Sequence, residues 1–177
     1  MEKIILGGGI ANTLIAAMGN EMGKSLVEES MLSDAAELLE NPKIIIPSFV
    51  VVSDDPDKPG RLTSVDSIRK NEAIFDVLPE SFNALETILM NAGTILWNGP
   101  LGFFEKENFD KGTIEIAKMI CSSKGFSVAG GGDTIAAAQK AGVLNELDYV
   151  STAGGAFLEF MEGRKLPVVE ALREKVN

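Results

Sequence analysis

Three times along this chain an apolar, β-prone run enters a glycine-rich turn and leaves it as a helix-periodic segment. The turns are Gly7-Gly8-Gly9, Gly130-Gly131-Gly132-Asp133-Thr134 and Ser151-Thr152-Ala153-Gly154-Gly155. Strand, glycine turn and helix in that order expose backbone N–H groups at a helix N-terminus, a geometry that favours an anion. One such turn constrains little. Three in one chain suggest a phosphorylated ligand lying across several strand ends, as in an α/β protein whose ligands bind beyond the carboxyl ends of a parallel sheet.

The rest of the chain fits that frame. Lys3–Leu6, Lys43–Ile46, Phe49–Val52, Thr94–Trp97, Phe126–Ala129 and Asp148–Ser151 read as strands. Ile10–Met18, Met31–Glu40, Pro79–Ala92, Thr134–Ala141 and Ala156–Met161 read as helices, and another runs to Ser122 with Asp110 as its N-cap. In the third of these helices Phe82, Leu85, Ile88 and Leu89 share one face. Ser53–Gly60 reads as a surface loop, and Leu62–Val77 as short strands at the margin of the sheet. The expected fold is a three-layer α/β sandwich with a mostly parallel, Rossmann-like sheet, in one domain over residues 1–177.

Composition narrows the chemistry. Sixteen basic against 26 acidic side chains give a formal net charge of −10, which argues against nucleic acid or an anionic membrane surface as the partner. A phosphate site on such a chain must rely on backbone N–H groups, a metal ion and a few placed cations. There is no histidine, which removes Ser-His-Asp and Cys-His catalysis and His-containing zinc sites. The single Cys121 lies on an amphipathic helical pattern and reads as buried filler. No apolar run approaches the roughly 18 residues of a membrane span, and no signal peptide is visible, so a cytosolic location is expected.

Two stretches imitate nucleotide motifs without meeting their requirements. Gly19-Asn20-Glu21-Met22-Gly23-Lys24-Ser25 has three residues between its glycines where a P-loop needs four, and it follows a helix rather than a strand. Gly19 and Gly23 read as helix-end punctuation. Gly7-Gly8-Gly9-Ile10-Ala11-Asn12 is a partial dinucleotide fingerprint with Asn12 in place of its third glycine-type position.

The sharpest local signal is Gly130-Gly131-Gly132-Asp133-Thr134. Asp133 would repel a bare phosphate, so its place makes chemical sense if it holds Mg²⁺ bridging phosphates. The plainer alternative is an Asp N-cap after a flexible turn. In Trp97-Asn98-Gly99-Pro100-Leu101-Gly102-Phe103-Phe104-Glu105 the aromatics form an apolar wall, and Glu105 has two readings: acceptor from ribose hydroxyls or solvated surface carboxylate. Gly154 and Gly155 open a helix whose dipole would add positive potential beside phosphates.

The blocks GGGIANTLIAAMG, GKSLVEE, ILWNGPLGFFE, FDKGT, GGGDT, STAGGAFLEF and LP, in this order, resemble the nucleotide-binding carboxyl-terminal half of the phosphoglycerate kinase family over nearly the whole chain. The resemblance implies reversible phosphoryl transfer between 1,3-bisphosphoglycerate and ADP, with Mg²⁺, in glycolysis. By the same resemblance Gly131, Gly132, Asp133 and Thr134 contact nucleotide phosphates and the metal, and Glu105 holds the ribose. Gly8, Gly9, Asn98 and Pro100 line the nucleotide cleft, while Gly154 and Gly155 lie beside the moving phosphoryl group. The implied catalytic groups are thus Gly131, Gly132, Gly154 and Gly155, with Asp133 as metal ligand and ATP or ADP as substrate.

The resemblance also sets departures. The family's amino-terminal domain, which holds 3-phosphoglycerate, is not in this chain, nor is a strand with phosphate-binding lysines that the family places just upstream of Met1. Lys3 and Lys24 read as solvated and replace none of them. The sheet is therefore expected to lack a central strand, leaving Lys3–Leu6 and Thr94–Trp97 beside an empty slot that strand-swapped self-association can fill. Ala153 stands where the family has a glycine, which predicts a strained or altered turn, and Leu78 stands where a glycine lies against the adenine. The expectation for the chain alone is an enzyme half with little or no activity; the alternative is a non-catalytic remnant that binds only nucleotide or a protein partner.

Overall fold

The computed structural model describes residues 2–174. The first strand, β1 (Ile4–Ile5), pairs in parallel with β2 (Ile44–Ile45), and α1 (Gly8–Ala17) and α2 (Leu32–Leu39) connect them. β3 (Phe49–Ser53), β4 (Arg61–Ser64) and β5 (Ala73–Asp76) form a separate antiparallel sheet in the order β4-β3-β5. After α3 (Leu85–Asn91), β6 (Thr94–Trp97), β7 (Phe126–Gly130) and β8 (Tyr149–Ser151) form a parallel sheet in chain order. The helices α4 (Lys111–Ser122) and α5 (Gly132–Lys140) make its crossovers, and α6 (Gly155–Met161) and α7 (Pro167–Glu174) complete the described chain.

The α/β class with parallel strands is as the alternating pattern predicts. The region 62–77 is corrected: its strands do not flank the parallel sheet but pair across β3 with a bulge between Val51 and Val52. The helix expected over Pro79–Ala92 is shorter. A 3-10 turn at Pro79–Ser81 comes first, Phe82 is extended, and Ala84 sits at φ +58° before α3 begins. Phe82, Leu85 and Leu89 are still buried together, so the apolar spacing marked the core face correctly although the backbone is not one helix.

Packing follows the sequence periodicity. On α4 the buried positions Gly112, Thr113, Ile116, Ala117 and Ile120 recur at helical spacing, and α5 buries Thr134, Ala137 and Ala138. Ile116, Ala117, Ile120, Ala137 and Ala138 share one core with Ile95 and Trp97 of β6 and Ala129 of β7. Cys121 is half-buried at the edge of that core, as filler, and burial pushes its thiol pKa up, which suppresses the thiolate. Phe109 is fully buried with its ring centroid 4.8 Å from that of Phe75. Burying a phenylalanine in this way contributes roughly 1.5–3 kcal/mol.

Among the described residues no ladder joins the two parallel sheets. The N–H groups of Ile4 and Leu6 donate to Lys43 O and Ile45 O, so alternation turns the backbone groups of Ile5 away from β2. Phe126 N–H donates to Gly93 O, which by the same alternation turns those of Thr94 and Leu96 away from β7. The two sheets nevertheless meet at their carboxyl ends, where a Cβ on Gly7 would lie 3.5 Å from Leu101 Cα and one on Gly8 would lie 3.7 Å from Pro100 O.

Candidate functional site at the carboxyl ends of the parallel strands

The turn after β7 is bound to the loop after β6 by a small closed network. Asn98 Nδ2 donates to Gly130 O at 2.7 Å, Gly99 N–H donates to Thr134 Oγ1 at 2.7 Å, and Thr134 Oγ1 donates to Gly130 O at 2.7 Å. Trp97 Nε1 donates to Gly99 O at 2.8 Å and closes the loop on its own strand. Thr134 is buried, and its hydroxyl is both donor and acceptor within this network. Its side chain fastens the two turns together, at a residue that the family resemblance implies as a contact of the nucleotide phosphates.

Gly131 has φ +96° and ψ 147°, a conformation that side-chain-bearing residues rarely adopt, and it places α5 so that its first turn faces outward. The first intrahelical bond is Ile135 N–H to Gly131 O. The N–H groups of Gly132, Asp133 and Thr134 accordingly have no acceptor among the described residues, whereas that of Gly131 faces Ser151 across the β7–β8 ladder. Asp133 is exposed and makes no side-chain hydrogen bond there, so it does not act as an N-cap; Gly131 occupies that position. Beside it, Gly132, Gly154 and Gly155 face open space.

The other two glycine turns border the same region. α1 starts at Gly8, so Gly8 and Gly9 belong to its first turn, and Gly8 lies close to the Pro100 carbonyl. Gly154 adopts φ +54° and ψ −126° as the N-cap of α6, whose Phe157 ring packs against Gly130. Asn98, Gly99, Gly131 and Thr134 are therefore joined at one place, with Gly8 adjoining Pro100 and α6 adjoining Gly130. Glu105 lies exposed at the far end of the loop and is tied to none of them by a hydrogen bond.

Several expectations change on inspection. Asp110 does not cap α4: its carboxylate pairs with Lys140 Nζ at 2.9 Å, and the N–H of Gly112 goes instead to Asp76 Oδ2 at 2.8 Å. Ala153 is unstrained, since Ala84 is the non-glycine residue with positive φ among those described. Leu78 is buried and extended, with φ −86° and ψ 147°, angles open to leucine. Gly19 does end α1 in a left-handed conformation, at φ +87°, whereas Gly23 sits in a later turn pressed against the carbonyls of Arg69 and Glu72. Lys3 donates to Pro42 O at 3.1 Å, and Lys24 is exposed.

Sequence reading missed Asp76. It is buried, and loss of solvation pushes its carboxyl pKa up to about 7, against the pull of the Gly112 and Val77 N–H groups. The nearby charges of Asp110 and Glu115 push in the same direction as burial. Its partner Gly112 is 36 residues away, so no local spacing pointed to it.

Comparison with known proteins agrees with this geometry. The family model for phosphoglycerate kinase matches residues 1–164. The solved phosphoglycerate kinase of Coxiella burnetii is 41% identical with a TM-score of 0.93, the match covering 100% of this chain and 47% of that one. That of Pyrococcus horikoshii OT3 is 34% identical with a TM-score of 0.83, over 97% of this chain and 45% of that one. The chain thus spans about half the length of the structures it matches. With the family model over residues 1–164 and both structures matched over nearly its whole length, the chain belongs to the phosphoglycerate kinase family.

Proposed function

We propose that this chain is the nucleotide-binding half of a phosphoglycerate kinase. Its reaction is reversible phosphoryl transfer between 1,3-bisphosphoglycerate and ADP, giving 3-phosphoglycerate and ATP in glycolysis. The observation that carries the reading is the start of α5, where the N–H groups of Gly132, Asp133 and Thr134 have no acceptor among the described residues and lie beside an exposed carboxylate. Donors fixed in this way neutralise phosphate charge without reorganising, which is what phosphoryl transfer asks of a protein. Gly131 and Gly132 hold the nucleotide phosphates, and Gly154 and Gly155 lie along the path of the transferred group. Gly8, Gly9, Asn98 and Pro100 wall the cleft, and Glu105 receives the ribose.

Magnesium fits the donor set in one form. Among the described residues no cluster of three metal-ligating side chains exists, which disfavours a dedicated protein cage. Mg²⁺ needs none: one or two carboxylates with phosphate oxygens and waters suffice, and the free carboxylate of Asp133 is placed for that role. Bound there, the ion supplies charge neutralisation on the phosphates. The net charge of −10 makes that contribution important.

The acceptor, 3-phosphoglycerate, is expected to bind on the part of the family's enzyme that this chain does not span, so the chain alone has little or no turnover. No helix of the described residues is long and apolar enough to cross a membrane, in keeping with a proposed cytoplasmic setting. A coupled kinase assay tests the reading. Adding the family's amino-terminal half, with its linking segment, is expected to produce turnover above either piece alone. No turnover at saturating substrates favours the second reading, a non-catalytic nucleotide-binding remnant.

A further inference from the structure

The loop from Asn98 to Glu105 carries three of the residues proposed to meet the nucleotide, and its shape is held from behind. Leu101 and Gly102 N–H groups donate to Thr113 Oγ1 at 3.1 and 3.3 Å, and Phe103 N–H donates to Phe75 O at 2.7 Å. Lys140 Nζ donates to Phe104 O at 2.6 Å. Asp76 lies at the centre of these ties with 1% of its surface exposed. Its Oδ1 accepts from Val77 N–H and its Oδ2 from Gly112 N–H, each at 2.8 Å. A Cβ added at Gly102 would collide with Asp76 Oδ1, so strand, loop and helix start all close on one carboxylate.

A buried carboxylate is an expensive way to fill space, and the nucleotide reading makes no use of it. It does the capping that Asp110 leaves undone. By receiving Gly112 N–H, it fixes the first turn of α4, and the next residue, Thr113, then presents its hydroxyl to the loop. We propose that Asp76 is a positioning residue that caps α4 from β5 and thereby holds the Asn98–Glu105 loop in the shape that receives nucleotide. The inference rests on the nucleotide reading above for its functional consequence, and on the geometry alone for the loop.

The test uses the whole chain and the variant Asp76→Asn, in which the side chain keeps its size and loses its charge. Trp97 is the sole tryptophan and its indole is bonded into this loop, so its emission reports the loop directly. In Asp76→Asn we expect a shifted Trp97 emission and faster hydrogen exchange at Leu101, Gly102 and Phe103, with protection of Ser127–Gly130 retained. MgADP binding, measured above pH 7 where Asp76 carries its charge, is expected to weaken roughly tenfold, the effect of losing one charge-assisted bond. A folded variant with unchanged emission, exchange and affinity overturns the proposal. If the unmodified chain binds no MgADP, the nucleotide reading fails, while emission and exchange still decide the loop. If Asp76→Asn does not fold, Thr113→Val removes the loop's acceptor alone, and unchanged loop exchange there overturns the proposal equally.

Discussion

Replacing Gly131 by alanine would force a Cβ into φ +96° and ψ 147°, and to within 3.3 Å of Asn98 Nδ2. Strain of that kind costs about 1–3 kcal/mol, so thermal unfolding of Gly131→Ala should begin several degrees lower. Asp76 sets a second expectation at this scale. Its folded carboxyl titrates at about 7, against 3.8 as its ordinary value. A raised acid pKa means that the folded state holds the proton more tightly, so its contribution to stability is full below about pH 4 and is lost as pH rises to 7. The slope approaches roughly 1.4 kcal/mol per pH unit. Glu72 acts oppositely: its hydrogen bond from Arg61 lowers its pKa, so that contribution is lost only as pH falls below about 4.5. Denaturant melts between pH 5 and 7 should therefore fall in stability for the unmodified chain and run flatter for Asp76→Asn; equal slopes would count against the assignment. At this scale the glycine turns were legible because only a few residue types tolerate such backbone angles. The capping of α4 was not, since Asp110 has the right local position and Asp76 wins through a contact set by the fold.

Among elements, the alternating strands and helices were readable from periodicity, and β1, β6, β7 and β8 lie where the apolar runs predict. The segment 62–77 resisted because its strands are defined by antiparallel partners on β3 and by no strong alternation of their own. The start of α3 resisted for a different reason: Phe82 and Leu85 keep helical spacing although the backbone between them passes through a left-handed Ala84. The two parallel sheets with no ladder between them carry a prediction of their own. Backbone groups at Ile5, Thr94 and Leu96 turn away from their partner strands with no ladder of their own, and such unpaired strand edges are templates for another chain. We expect strand-exchanged self-association that increases with concentration in sedimentation velocity. A monodisperse monomer at every concentration, with well-dispersed amide signals, would refute it.

For the molecule as a whole, the starts of α1, α5 and α6 adjoin the loop after β6, and the proposed nucleotide site would draw its positive potential from backbone rather than from side chains. That arrangement suits a chain with net charge −10 and no histidine, and it explains why fold and family were legible while affinity was not. On the proposed reading, affinity would depend on how Leu78 and Ala153 sit beside the nucleotide, and neither has a positive φ. The central claim is that the glycine turns form one nucleotide site with Asp133 as its metal ligand. Calorimetric titration with MgADP of the chain and of Asp133→Ala tests it most directly. Asp133 is exposed and free of hydrogen bonds among the described residues, so the variant should fold with stability changed by no more than about 0.5 kcal/mol. Saturable binding that weakens in Asp133→Ala is the predicted result. A folded chain that binds no MgADP, or binds it identically in both forms, would contradict the claim.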